Sequence, residues 1–158
     1  YAVATVMSAL AIHRENAQAT AGGTSGPSAA HTKTQLMRQA YRIAVNRTVA
    51  GVHFPVDSVA GAILGCTLAE HVASQCCGGE WSSASFEGTN FDAHHDFDWH
   101  QIYRVKEDRM ESQARSGRGI WMQSAQQRCA PDFETPAVLS WLWGKALDEW
   151  QDISLDAG

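Results

Sequence analysis

Between Asn46 and Asp57 the chain reads Asn-Arg-Thr-Val-Ala-Gly-Val-His-Phe-Pro-Val-Asp, and no other stretch constrains the fold as much. Gly51 permits a turn, and Pro55 suits the first turn of a helix, where its missing N–H would have had no partner. Two helices must therefore meet at a tight corner, one ending near Val49 and the next starting at Pro55. Asp57 falls in the first turn of the second helix, where negative charge complements the dipole. Arg47, His53 and Asp57 are separated by five and by three residues. A guanidinium offers a planar fork of donors, and an imidazole offers one nitrogen to a central atom. A carboxylate four residues on can hold the other nitrogen. That set suits a tetrahedral or trigonal-bipyramidal oxyanion. A plainer reading fits the same residues, with Arg47 and Asp57 as a buried ion pair and His53 capping a helix.

The helix leading into the corner is expected from Thr32 to Val49, with Leu36, Ala40, Ile43 and Arg47 on one stripe. Arg47 then continues a buried face, which is costly unless something anionic meets it. The helix leaving the corner is expected over Pro55 to Ser74. Its Gly61 and Gly65, beside Ala60 and Ala62, form a small-residue face that lets another helix approach closely. Upstream, residues 1–17 read as an apolar helix ending in the polar turn His13-Arg-Glu-Asn16, and residues 20–30 as a Gly/Ser-rich loop. Downstream, Cys77-Gly-Gly-Glu80 closes the helical core and residues 80–96 read as irregular. A further helix is expected between Phe97 and Gln113, broken by Ser116-Gly-Arg-Gly119. Thr135-Pro136 then opens a helix over Ala137 to Gln151, with Leu139, Leu142, Trp143, Ala146 and Trp150 on its apolar side. No stretch alternates convincingly as a strand. The class is all-α, with core helices over 1–77 and a tryptophan-rich acidic extension over 78–158 packing on them.

A chain of 158 residues is one ordinary domain, large enough to bury a core. Its net charge of −5 argues against nucleic acid as a partner. Charge is uneven: residues 1–79 hold five Lys/Arg against three Asp/Glu, and residues 80–158 hold seven against fourteen. The weakly basic half surrounds the corner. The apolar runs Tyr1 to Ile12 and Val59 to Ala69 fall short of the roughly 18–20 residues of a membrane helix, so the chain reads as soluble, with no membrane partner. Cys66, Cys76, Cys77 and Cys129 form no CxxC and read as free thiols. His94, His95, Asp96, Asp98 and His100 offer imidazoles and carboxylates to a divalent metal, but at no recognised ligand spacing, and a polar loop explains them as well. The six tryptophans cluster late and fit packing onto the core or against a second subunit of a homo-oligomer.

Arg47, His53 and Asp57, with Gly51 two before the histidine, Pro55 two after it and Ala60-Gly-Ala-Ile-Leu-Gly65 following, resemble the C-terminal signature of the vanadium-dependent haloperoxidase and type 2 phosphatidic acid phosphatase (PAP2) superfamily. The resemblance covers about residues 1–75 and leans towards the soluble haloperoxidase-like members. It implies a helical bundle of that type, with vanadate as cofactor. Arg47 would bind an equatorial oxygen, His53 would be the ligand of the vanadium, and Asp57 would orient His53. Asn46 stands where the family often has serine, and its amide could also donate to the oxyanion. The implied reaction is Lewis-acid activation of hydrogen peroxide for halide oxidation. The alternative is an acid phosphatase hydrolysing phosphate monoesters through a phosphohistidine at His53. A second alternative, of another class, is a non-catalytic helical oligomerisation module that keeps the packing without the chemistry. The family's upstream lysine and arginine and its Pro-Ser-Gly-His segment are not in this sequence, and Pro27-Ser-Ala-Ala-His31 is a poor substitute, with one residue too many. The chain opens with helical, apolar character at Tyr1, so the expectation is an incomplete domain, with part of the site upstream and little activity in the fragment.

Overall fold

A computed structural model of the chain describes residues 1–21, 29–78, 80–104 and 134–152, with short strand segments at 109–110, 114–115, 118–119, 121–123 and 127–128. Most of what is described is helical. Helix α1 spans Ala2–Ala21, α2 spans Ala29–Val49, α3 spans Pro55–Cys77 and α4 spans Ala137–Asp152. The corner helices begin and end where Gly51 and Pro55 dictate, while α1 continues past the polar segment at 13–16.

Helix α1 packs against both α2 and α3, and the core lies where the three meet. Ala4, Met37, Val59, Ala62, Ile63 and Cys66 are buried there together with Phe97, Trp99 and Ile102. The extension therefore contributes to the same core as the helices before it. Thr5 donates to the Cys66 sulfur at 3.5 Å, and the Ser8 hydroxyl returns to the Ala4 carbonyl at 2.6 Å. Burial pushes the Cys66 thiol up. Cys66, Cys76 and Cys77 are free, and Cys129 lies outside the described residues.

The buried stripe of α2 differs from the expected one. Ala29, Lys33 and Met37 are buried, at i, i+4 and i+8. Leu36 and Ala40 are only half-buried, while Ile43 and Arg47 are exposed. The helix is turned by about one residue, so that Ala29 and Met37 lie inside and Ile43 lies at the edge. Lys33 is drawn inside by this rotation. Burial lowers its amine from 10.5 to about 8, while the Glu70 carboxylate of α3 acts to hold it charged. Burial likewise raises Glu70, opposed by Lys33 and by the Ser82 N–H that donates to it.

Helix α3 is 23 residues long, long and apolar enough by length and composition to cross a membrane. That corrects the shorter Val59 to Ala69 run read from sequence. In this fold it is the central helix, burying Val59, Ala62, Ile63, Cys66 and Ala69. Gly78, at φ +70°, ends it in the left-handed region that glycine enters without strain. Its two glycines differ. A Cβ on Gly65 would lie 2.9 Å from the Ala2 nitrogen and 3.2 Å from the Tyr1 Cβ, whereas one on Gly61 would meet nothing within 4 Å. The close helix approach expected of the pair is thus made at Gly65 alone. Gly65→Ala should cost about 1–3 kcal/mol through overpacking against backbone. Gly61→Ala should be neutral or stabilise by up to about 1 kcal/mol through helix propensity. Urea unfolding of the two variants side by side checks the contrast.

The helix expected between Phe97 and Gln113 does not form over the described residues of that range. Asp98 is extended, and its carboxylate accepts from His100 N–H to start a single 3-10 turn at Trp99–Gln101. Phe97 and Trp99, two apart across that extended residue, both turn inward. Strand β3 (Tyr103–Arg104) then pairs antiparallel with β4 (Arg109–Met110). Strands also appear where none were expected: β1 (Glu80–Trp81) pairs with β8 (Gln127–Arg128), β2 (Ala84–Phe86) with β7 (Trp121–Gln123), and β5 (Ala114–Arg115) with β6 (Arg118–Gly119). Each is only two or three residues long, too short for a pattern of period two to be read from sequence. Helix α4 starts as expected after Pro136, and Thr135 donates to the Gln75 carbonyl at 2.5 Å, tying it to the end of α3. Trp143 is buried, Leu139 and Ala146 are half-buried, and Leu142 is exposed rather than packed. The Trp150 side chain lies outside the described residues.

Candidate functional site

The corner is built by backbone hydrogen bonds. Val52 N–H donates to the Arg47 carbonyl at 3.1 Å and Gly51 N–H to the Thr48 carbonyl at 2.9 Å, with Gly51 at φ +72°. This is a Schellman closure, and it requires a residue at ease with positive φ at its centre. It reverses the chain within a few residues, so that His53 faces back towards the last turn of α2. On the other side, Phe54 N–H donates to Asp57 Oδ2 at 2.9 Å and Asp57 N–H to the Phe54 carbonyl at 3.0 Å. Asp57 thereby satisfies an orphan backbone N–H at the start of α3 and is fixed one turn from His53.

Arg47, His53 and Asp57 come together. An Arg47 Nη lies 2.5 Å from His53 Nε2, and His53 Nδ1 lies 3.4 Å from Asp57 Oδ2. Guanidinium has only donors, so Nε2 must accept, and the imidazole proton then sits on Nδ1, facing the carboxylate. The Phe54 N–H first, and His53 second, hold the Asp57 carboxyl below the usual carboxylate range. The arrangement leaves the His53 lone pair directed at the guanidinium. An oxyanion entering between them would take up the arginine N–H groups and leave Nε2 free to bond its central atom.

The buried ion pair is not what forms: Arg47 and Asp57 are both exposed, and Arg47 bonds to His53. All three side chains line one open cleft of about 210 Å³ between α2 and α3. Its remaining wall is small or apolar, including Ala44 and Gly61, apart from Tyr1 and its phenol. Asn46 is exposed and is not part of the lining. Tyr1 was not singled out as a site residue from sequence. Its ring packs edge-on against Phe97 at 6.0 Å, and burial raises its hydroxyl.

The histidine-rich segment at 94–100 serves local structure. Asp92 accepts from His94 N–H at 2.9 Å and meets His95 Nδ1 at 2.6 Å, while the His100 ring lies against Trp99 at 4.0 Å. Among the described residues, no group of three His, Cys, Asp or Glu side chains is placed to hold a metal ion. Comparison with protein-family models, with curated proteins and with solved structures finds no match.

Proposed function

We propose that the cleft binds a tetrahedral oxyanion, and that the protein is haloperoxidase-like, with vanadate held by His53 and Arg47. The observation that carries this reading is the meeting of a guanidinium with an imidazole nitrogen in one open cleft. The donor set fits the group: Arg47 supplies charge and N–H donors to an equatorial oxygen, and His53 Nε2 supplies the lone pair. Asp57 keeps the proton on Nδ1 and fixes the ring. Vanadate, when bound, supplies a Lewis acid that activates hydrogen peroxide towards a halide. The lysine, arginine and acid/base histidine that the family adds are not in this sequence, so oxyanion binding is the first readout.

Two other readings rest on the same cleft. A phosphatase would use the Nε2 lone pair to attack phosphorus, with phosphate as substrate and no cofactor. A non-catalytic helical module is favoured by the fact that Arg47 and His53 already satisfy one another. Bromination of a phenol dye with vanadate, peroxide and bromide selects the haloperoxidase. Hydrolysis of a phosphate monoester without bromination selects the phosphatase, and neither activity selects the non-catalytic module.

A further inference from the structure

Three large apolar side chains stand out in solvent within one turn of the chain. Val49 is 80% exposed, Val52 60% and Phe54 75%. Single exposed apolar residues are ordinary on a protein surface, but three packed into the six residues of a convex turn form a patch. The turn joins the end of α2 at Val49 to the start of α3 at Pro55 and leaves these three side chains exposed. Behind it, α2 exposes Arg38 and Arg42, which share one helical face with Val49 at i, i+4 and i+11. Residues 29–56 carry four Lys/Arg and no Asp/Glu, and with Lys33 buried and Arg47 bonded to His53, Arg38 and Arg42 form the basic flank. The nearest acid along the chain, Asp57, is engaged by Phe54 N–H and His53.

An apolar tip with a basic flank is the arrangement of an interfacial anchor. Apolar side chains enter the boundary between headgroups and acyl chains, and guanidinium groups meet headgroup phosphates. Val49, Ala50, Gly51, Val52, Phe54 and Pro55 bring no side-chain donor or acceptor to the tip, and His53 is turned inward to Arg47. A fluid apolar acceptor suits such a tip better than a protein surface whose polar groups must be matched one by one.

We infer that the α2–α3 corner docks this chain on an anionic lipid surface, with Val49, Val52 and Phe54 at the interface and Arg38 and Arg42 against the headgroups. This does not depend on what the cleft binds.

Flotation of the chain with phosphatidylcholine vesicles, with and without phosphatidylserine, tests it. The chain should float with the anionic vesicles, and less so as salt is raised. Val52→Ser with Phe54→Ser, and separately Arg38→Gln with Arg42→Gln, should each weaken the association about tenfold or more. Trp141→Ser on the exposed face of α4 should not change it. These positions are exposed, and circular dichroism checks that each variant is folded. Docking is overturned by equal flotation with neutral vesicles, by no flotation, or by loss on Trp141→Ser alone. Release by inorganic phosphate, but not by chloride at equal ionic strength, would also overturn it and point to headgroup capture in the cleft. So would self-association, lost in the arginine variant, without vesicle binding.

Discussion

Met37→Ala is expected to lower the unfolding free energy by about 2–5 kcal/mol, the range for truncating a large buried side chain that leaves a cavity. Met37 is completely buried, at the place where α2 meets Val59, Ile63 and Cys66 of α3 and the inward-turned Phe97, Trp99 and Ile102. Its thioether fills a space shared by two helices and the extension, and an alanine leaves that space open on several sides. Leu36→Ala, one residue earlier and half-buried, should cost clearly less. Denaturant unfolding of the pair decides between the two possible stripes of α2, because the stripe read from sequence reverses the order. Because the extension shares this core, unfolding followed by tryptophan fluorescence and by circular dichroism should coincide.

The second large effect is expected at Glu70→Gln, and it depends on pH. At neutral pH Glu70 opposes the cost of burying the Lys33 ammonium. Removing that charge penalises only the protonated amine, and an amine that titrates at about 8 escapes by losing its proton. The escape caps the loss at about 1.4 kcal/mol for each pH unit below 8, so roughly 1.4 kcal/mol at pH 7 and roughly 2.7 kcal/mol at pH 6. The raised Glu70 carboxyl, itself taking up a proton in acid, limits the effect at still lower pH. The sign on the alkaline side follows from linkage. Unfolded lysine holds its proton to about 10.5, whereas folded Lys33 releases it at about 8, so the unfolded chain binds more protons between these values. Stability should therefore rise with pH across that window in the wild type relative to Lys33→Met. Thermal unfolding of the three proteins from pH 6 to pH 10 checks both limbs, and parallel curves would refute the assignment.

The corner was legible because its chemistry is local. Gly51 at a positive φ, Pro55 in the first turn of α3 and Asp57 bonded to Phe54 N–H each act within a few residues, and together they place Arg47 beside His53. The stripe of α2 was not legible in the same way. Leu36, Ala40, Ile43 and Arg47 keep helical spacing, but so do Ala29, Lys33 and Met37, and only tertiary packing chooses between them. Hydrophobicity misleads here, because a lysine with a carboxylate opposite it lies inside while an isoleucine lies outside. Residues 97–104 were misread for a related reason. Phe97, Trp99 and Ile102 look compatible with a helix, yet the Asp98 carboxylate captures the backbone two residues on and holds the chain in one short turn. The exposure of Val49, Val52 and Phe54 has no signature in sequence at all, since apolar residues at a helix corner are as readily packed as bare.

The claim on which the rest depends is that Arg47 and His53 share one oxyanion between them. Titration of the chain with vanadate, followed by vanadium NMR, tests it directly. Wild-type protein should bind vanadate, Arg47→Ala should weaken binding about tenfold to a hundredfold as a charge-assisted contact is lost, and His53→Ala should abolish it. Binding that survives Arg47→Ala and His53→Ala unchanged, or no binding by the wild type, would contradict the account.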